Sequence, residues 1–274
     1  MIKLICSDVD GTLLNKQREV DSFTKNIIAL LRGKIPVVLA SSRMPKALFH
    51  IQNDLGIISE PIICYNGGLV LMGGDTFAES KIIATFTIAE PTVNEIIAFA
   101  CDYDIHVSVY LNDSWFVNKM DKWAQREINN TKAHPEDMLD PLKSLGTDAH
   151  KIMIMGEAEK ISAIEKKLSN VNVSLCRSKD TYLEITPPNV NKYTALMQAL
   201  GLIERYRNIK SDSIAAFGDN HNDYELIKNV KYGIAVANAV PALKEIAFEV
   251  TESNVNHGVA LYLQKLLTDV ALLG

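Results

Sequence analysis

Cysteine and long apolar runs are both scarce in this sequence. Its four cysteines are scattered at Cys6, Cys64, Cys101 and Cys176 without CxxC spacing, and Cys6 and Cys64 lie inside apolar runs. We therefore expect free thiols in a reducing compartment. No apolar run approaches the roughly 20 residues that a membrane-spanning helix needs, and the first residues show no signal-peptide pattern. These absences predict a cytoplasmic protein that does not bind a membrane.

Positive charge is scarce as well. The formal net charge is −5, whereas a general nucleic-acid binder needs a basic surface that replaces phosphate counterions. Internal repeats and low-complexity segments are also lacking. Apolar residues make up 47% of the 274 residues, which is enough for a packed core and argues against disorder. We therefore expect one large or two modest folded domains that do not bind nucleic acid.

Short apolar runs alternate with helix-period segments near both ends of the chain. Residues 2–6, 36–40 and 61–65 are predicted to form buried strands, and residues 22–32 are predicted to form a helix between the first two. The same alternation returns from about residue 193 onward. A repeated strand–helix rhythm of this kind predicts an α/β fold with a doubly wound, Rossmann-like parallel sheet.

The middle of the chain has a different character. Its apolar runs are mixed with polar residues, which is typical of an antiparallel sheet with one face in water. Helices predicted at residues 92–102 and 158–168 would cover the other face. We therefore expect an inserted α+β cap domain at residues 81–187, and a discontinuous core made of residues 1–80 and 188–274.

The most informative motif is Asp8-Val9-Asp10-Gly11-Thr12, directly after the first predicted strand. In an open α/β sheet, ligands bind in the crevice beyond the carboxyl ends of the strands. Two carboxylates this close repel each other, and they become stable as a pair when a hard cation lies between them. Unless both aspartates only cap loops, the motif predicts a metal site at this end of the sheet.

Polar residues also follow three other predicted core strands. The segments are Ser41-Ser42-Arg43, Asn66-Gly67-Gly68 and Gly218-Asp219-Asn220-His221-Asn222-Asp223. Each alone has a simpler interpretation as a helix cap, a turn or a loop. Gathered at one sheet edge, their hydroxyl, amide and carboxylate groups fit Mg²⁺ and phosphate. Lys192 would add the missing positive charge, unless it is a solvated surface lysine.

These motifs resemble, in order and over essentially the full length, those of the haloacid dehalogenase-like hydrolases. The resemblance is to the Cof-type phosphatases with a C2-type cap (subclass IIB). The matching segments are Asp8-Val9-Asp10-Gly11-Thr12-Leu13-Leu14, Leu39-Ala40-Ser41-Ser42-Arg43, Leu183-Glu184-Ile185-Thr186-Pro187 with Val190-Asn191-Lys192, and residues 218–223. Ser41 keeps the hydroxyl that the family uses on phosphate, and Ser42 replaces a common glycine.

The resemblance implies a Mg²⁺-dependent phosphatase with a covalent intermediate. Asp8 is then the nucleophile that forms an aspartyl-phosphate. Asp10 is the general acid for the leaving alcohol and later the general base for water. The metal is assigned to the Asp8 carboxylate, the Asp10 backbone carbonyl and Asp219, while Asp223 orients the metal's ligands.

The resemblance also assigns residues that bind the substrate. The phosphoryl oxygens are expected to be held by Ser41, Ser42, Lys192 and Asn222. The inserted domain is expected to be a lid that excludes water when it closes. The candidate substrate contacts in this lid, unless they are ordinary core or surface residues, are Tyr110, Trp115, Trp123, Arg126 and Arg177.

The expected substrate is a small phosphorylated metabolite. Sugar phosphates are most typical of the family, and pyridoxal phosphate and flavin precursors are alternatives. Two other functions stay open from the sequence. One is a phosphotransferase or phosphomutase that passes the phosphoryl group to a sugar, and the other is a non-catalytic phosphate or metal sensor. We expect a monomer or a small homo-oligomer.

Overall fold

The computed structural model describes residues 1–139 and 146–271. Its strands are β1 (Leu4–Ser7), β2 (Val37–Ala40), β3 (Pro61–Cys64), β4 (Leu69–Met72), β5 (Lys81–Thr85), β6 (His106–Leu111), β7 (Ser114–Val117), β8 (Asp137–Met138), β9 (Lys151–Met155), β10 (Ser174–Lys179), β11 (Tyr182–Thr186), β12 (Ile214–Gly218), β13 (Tyr232–Val236) and β14 (Glu249–Thr251). Its α-helices are α1 (Ser22–Leu31), α2 (Phe49–Leu55), α3 (Glu90–Asp102), α4 (Lys122–Thr131), α5 (Ala158–Leu168), α6 (Lys192–Leu202), α7 (Tyr224–Asn229), α8 (Pro241–Ile246) and α9 (Gly258–Ala271). Within the described ranges, no helix has both the length and the hydropathy needed to cross a bilayer.

An eight-stranded sheet forms the core, in the order β14-β13-β12-β1-β2-β3-β4-β5. The strands from β14 to β3 pair in parallel, whereas β4 and β5 are added at one edge by antiparallel pairings. The α/β fold expected from the strand–helix rhythm is confirmed, but its sheet is mixed. β5 belongs to this sheet, and we therefore place the first junction with the cap after Thr85 rather than at residue 81.

The sheet brings the predicted polar segments to one end. β1 pairs in parallel with β2 on one side and with β12 on the other. Because these three strands point in the same direction, the residues that follow them leave the sheet at the same edge. Asp8, Ser41 and Asp219 therefore begin three neighbouring loops, as the motifs predict.

The cap contains a six-stranded sheet in the order β10-β11-β9-β6-β7-β8. Side chains alternate between the two faces of each strand. Val109, Ile154 and Leu183 share one face and form a buried cluster with Ile96 of α3 and Ile161 of α5. The two predicted cap helices therefore cover one face of the cap sheet, as expected.

The opposite face of the cap sheet is turned toward the core domain. Tyr110, Trp115, Met153 and Tyr182 lie on this face, are buried, and belong to the same apolar cluster as the core residues. The expectation of a face in water is therefore wrong. Large apolar side chains remove more area from water when they pack between the domains than when they face solvent.

Candidate active site

A buried lysine bridges two aspartates at the carboxyl end of the core sheet. Lys192 Nζ donates to Asp8 Oδ1 at 2.5 Å and to Asp223 Oδ1 at 2.6 Å. Its side chain is fully buried, so the surface-lysine alternative is wrong. Burial alone would lower the pKa of Lys192, but the charges of Asp223 and Asp8 outweigh burial and raise it. The lysine is therefore held as a cation between two carboxylates.

The local sequence explains why Lys192 lies at this point. It is the first residue of α6, and Asn191 caps the helix by accepting a hydrogen bond from Thr194 N at 2.9 Å. Thr194 Oγ1 accepts from Asn191 N in return at 3.1 Å, which completes a capping box. A cation is unfavourable at a helix N-terminus. The two aspartates offset that cost.

Three carboxylates surround a space that suits a metal ion. Asp8, Asp219 and Asp223 each place one oxygen within 4.8 Å of the others. Among the described residues, Asp8 Oδ2 is buried without a hydrogen-bond partner. Burial raises the pKa of Asp8 well above its ordinary value and that of Asp219 to about 7, and the charge of Asp223 adds to both effects. Excess negative charge and an unpartnered oxygen fit a hard cation such as Mg²⁺.

The loop after β12 is shaped by Asp223 and approached closely by Gly11. Asp223 Oδ2 accepts hydrogen bonds from the backbone N–H groups of Asp219 at 3.0 Å and Asn220 at 3.1 Å. A Cβ atom on Gly11 would lie 2.3 Å from Asp219 Oδ2, and Gly11 has a φ of +82°. Only glycine fits this position without strain. The glycine of the first motif therefore lets the loops after β1 and β12 meet.

Asp10 is held by two arginines to which the sequence motifs assign no role. Arg43 Nε and Nη2 donate to the two Asp10 oxygens at 2.6 and 2.7 Å, and Arg18 Nη2 donates to Oδ1 at 2.6 Å. Burial would raise the pKa of Asp10, but Arg43 and then Arg18 outweigh burial and lower it. Arg18 also donates to Asn130 of α4 at 3.3 Å. Asp10 is therefore connected to the cap through Arg18.

The four predicted phosphate ligands have different environments. Ser42 and Asn222 line a cavity next to Asp8. Lys192 is buried against Asp8 itself. Ser41 is also buried, and its Oγ accepts a hydrogen bond from Arg43 N at 3.2 Å. The structure thus brings all four to the neighbourhood of Asp8, two at the cavity surface and two within the protein.

The cavity lies between the core and the cap and has a volume of about 420 Å³. Asp8, Asp10 and Asp219 line its core side. Its cap side is lined by Tyr110, Trp115, Glu127, Asn130, Thr131, Lys151, Met153, Lys179, Tyr182 and Glu184. The arrangement gives a charged end at the core and a partly aromatic space beneath the cap.

The five lid candidates divide into two groups. Tyr110 and Trp115 line the cavity, and their rings stack with centroids 5.8 Å apart. In the described structure, Trp123, Arg126 and Arg177 do not line it. Trp123 and Arg126 contact the ring of Tyr182, and Arg177 pairs with Glu165 at 3.2 Å.

Two buried charged residues of the cap have no role assigned from the sequence. Lys151 and Glu184 line the cavity and are 5% and 8% exposed. Each lies in a short apolar strand, β9 and β11 respectively. A charged side chain in such a strand was the available signal, because buried charges are rare unless they are paired.

Comparison with known proteins identifies the family. A family model described as haloacid dehalogenase-like hydrolase matches residues 5–263. A Haemophilus influenzae protein provisionally named a phosphatase is 29% identical over 272 residues, covering 97% of this chain and 98% of that protein. The 5-amino-6-(5-phospho-D-ribitylamino)uracil phosphatase YitU of Bacillus subtilis is 25% identical, and the match covers 96% of each chain.

Solved structures agree with this match. A haloacid dehalogenase-like hydrolase from Bacteroides thetaiotaomicron has a TM-score of 0.86 at 24% identity, covering 97% of this chain and 100% of that one. TM0651 from Thermotoga maritima has a TM-score of 0.80 at 26% identity, covering 97% of each. The first similarity shows the fold. The family match and the named phosphatases support an enzyme that hydrolyses phosphoric monoesters. The chain therefore belongs to the haloacid dehalogenase-like hydrolase family, and the Cof-type assignment made from its motifs is confirmed.

Proposed function

We propose that the protein is a Mg²⁺-dependent phosphatase that hydrolyses small phosphate monoesters, in particular sugar phosphates, through an aspartyl-phosphate on Asp8. One observation carries the proposal. Asp8 has one oxygen bound by Lys192 and a second oxygen without a partner among the described residues, and it lines the cavity between core and cap. A carboxylate with a free oxygen at a cavity is placed to act as a nucleophile.

The residues around Asp8 suit Mg²⁺ as the cofactor. Asp8 and Asp219 would hold it together with the backbone carbonyl of Asp10, and Asp223 would orient this group of ligands. All of these donors are oxygens, which Mg²⁺ prefers. When bound, the ion reduces the repulsion between an anionic nucleophile and an anionic phosphate.

The proposed reaction has two steps on these side chains. Asp8 attacks phosphorus, the bond between phosphorus and the leaving oxygen breaks, and that oxygen takes a proton from Asp10. Water then attacks the aspartyl-phosphate and gives its proton to Asp10, and the bond between Asp8 and phosphorus breaks. The two arginines favour the carboxylate form of Asp10, which is the form needed in the second step. The negative charge of an arriving phosphate favours the protonated form needed in the first step.

The phosphoryl group is proposed to lie among the four predicted ligands. Lys192 supplies positive charge from within the protein, and Ser42 and Asn222 supply polar groups at the cavity surface. The buried Ser41 hydroxyl supplies a further donor. Phosphoryl transfer depends mainly on such positioning and charge stabilisation.

The leaving group is proposed to occupy the cap side of the cavity, a volume suited to a small metabolite. Its four charged groups, Glu127, Lys151, Lys179 and Glu184, fit the hydroxyls of a sugar. A flavin-precursor phosphate is the second candidate, because the stacked rings of Tyr110 and Trp115 offer a flat apolar surface and YitU acts on a ribitylaminouracil phosphate. The free cysteines fit the proposed cytoplasmic location.

Phosphate release from a panel of phosphorylated metabolites tests the proposal. We expect release with Mg²⁺, loss of release with EDTA, and loss in the Asp8→Asn variant. Asp54→Asn is the matched control, because Asp54 is an exposed surface aspartate whose partner is Lys25. If well-folded wild-type protein releases no phosphate from any sugar phosphate or flavin-precursor phosphate, the proposal is contradicted. That result would favour a dedicated transferase or a sensor.

A further inference from the structure

A chain of side-chain hydrogen bonds runs from the cap to the phosphate end of the cavity. Glu184 Oε2, on strand β11 of the cap, accepts from Asn66 Nδ2 at 2.9 Å. Asn66 Oδ1 accepts from Asn222 Nδ2 at 3.0 Å. Glu184 and Asn66 are both buried, and Asn222 lines the cavity. A cap carboxylate is thus connected, through one core amide, to a predicted phosphate ligand.

The chemistry of Glu184 sets the donor-to-acceptor direction of these hydrogen bonds. An ionised carboxylate only accepts hydrogen bonds, whereas an amide side chain has a donor end and an acceptor end. Glu184 therefore draws the Nδ2 end of Asn66 toward itself, which turns Asn66 Oδ1 toward Asn222. That oxygen in turn fixes the Nδ2 end of Asn222. One N–H of this amide donates to Asn66, and within the described ranges the second has no partner and is available to a ligand.

We propose that Glu184 and Asn66 are positioning residues that orient the Asn222 amide for the phosphoryl group of the substrate. This inference rests on the proposed function, in which Asn222 holds a phosphoryl oxygen. A misoriented Asn222 would present its Oδ1 to an anionic phosphate, and that contact is repulsive. The Glu184 carboxylate, which can only accept hydrogen bonds, prevents this misorientation.

Neighbouring groups hold Asn66 and Glu184 of this hydrogen-bond network in place. Asn66 follows β3 with a left-handed φ of +56°, and its backbone N–H donates to Ser41 O at 2.9 Å. Lys151 Nζ lies 3.9 Å from Glu184 Oε2 and donates to Ser42 O at 2.7 Å. The cap therefore contacts the loop of Ser42 through Lys151, and it reaches Asn222 through Glu184 and Asn66. Orientation of Asn222 then depends on a closed cap.

Binding of inorganic phosphate tests the inference without a leaving group. We would titrate Mg²⁺-loaded wild type, Glu184→Gln and Asn66→Gly with phosphate by calorimetry. Glutamine keeps the shape of Glu184 but no longer forces the direction of the chain, and glycine suits the backbone of Asn66. We expect each substitution to weaken phosphate binding by roughly fivefold or more, the factor that corresponds to one ordinary hydrogen bond.

The matched control is Glu165→Gln. It also removes a carboxylate from an ion pair of the cap, the one with Arg177, but it has no link to Asn66. We expect its phosphate affinity to equal that of the wild type. Thermal unfolding of each variant shows whether it is folded, and Asn66→Gly keeps the test decisive if Glu184→Gln loses its fold.

A double-mutant cycle separates orientation from other effects. In an Asn222→Ala background, Glu184→Gln should have no further effect on phosphate binding, since the two residues act as one unit. The inference is overturned if Glu184→Gln weakens binding equally in both backgrounds, or if folded Glu184→Gln and Asn66→Gly bind phosphate as wild type does. Failure of the proposed function is a separate result, namely wild-type protein that releases no phosphate from any ester.

Discussion

Replacing Lys192 by methionine should destabilise the fold and abolish activity together. Methionine keeps much of the side-chain volume, but it leaves Asp8 and Asp223 buried with no cation between them. Breaking a buried ion pair from one side costs about 3–5 kcal/mol of the free energy of unfolding. Each kcal/mol lowers Tm by about 2–4 °C in a protein of this size, so we predict a fall of about 6–20 °C.

The size of this loss should depend on pH and on Mg²⁺. Lys192 opposes the burial that raises the pKa of Asp8, so without it that pKa rises further. A carboxyl whose pKa is higher in the folded than in the unfolded chain stabilises the fold at low pH and loses that contribution as pH rises. The deficit of the variant should therefore shrink when the pH is lowered from about 7 to about 5. Mg²⁺ should restore part of the stability, because the proposed metal site exists only in the folded state.

Differential scanning calorimetry measures both effects, with Lys25→Met as the matched control. Lys25 pairs with Asp54 at 2.8 Å on the surface, with 37% and 51% of the two side chains exposed. Exposed pairs contribute at most about 1 kcal/mol. If Lys192→Met loses no more stability than Lys25→Met at neutral pH, the buried pairing does not stabilise the site.

Three further perturbations test separate parts of the site. Arg18→Met removes one of the three cations that lower the pKa of Asp10, so the acid limb of the kcat–pH profile should move to higher pH; an unchanged limb would show that Arg18 does not act on Asp10. Gly11→Ala places a methyl group on Asp219 and strains the backbone, so the Mg²⁺ concentration for half-maximal activity should rise, and an unchanged value would contradict the close approach. In metal-free protein the stability contributed by Asp219 should be lost as pH rises from 3.8 to about 7, because its folded pKa is raised to about 7. The stability of Asp219→Asn relative to wild type should therefore increase over this pH range in urea unfolding, and equal pH dependence in both proteins would refute the shift.

The core site was predictable because its residues follow strand ends. Asp8 and Asp219 each come directly after a short apolar run, and parallel strands bring such positions to one edge. The same reasoning placed Ser41 beside them. The family resemblance assigns Lys192 to the site, but its burial needed the structure, because a lysine at a helix N-terminus is equally compatible with solvent. Only its two aspartate partners, distant in sequence, decide the matter.

The cap was predictable in outline but not in its contacts. Strand β5 has exposed ends, and the sequence pattern predicts it in the cap, because an edge strand has the same mixed pattern as a half-exposed cap strand. Glu184 and Lys151 carry a signal in their apolar surroundings, but their partners Asn66 and Ser42 lie more than a hundred positions away. Arg18 lies in a loop without periodicity, so no sequence pattern points to its contact with Asp10.

The most direct test of the proposed mechanism is chemical trapping of the intermediate on Asp8. An Asp10→Asn variant lacks the general base for the second step, so it should accumulate aspartyl-phosphate when given Mg²⁺ and an aryl phosphate whose leaving group needs no acid. Borohydride reduces an acyl phosphate to an alcohol, and peptide mass spectrometry should then locate homoserine at position 8 and nowhere else. Homoserine at another aspartate, or none at position 8 while the wild type turns over the same ester, would contradict nucleophilic catalysis by Asp8.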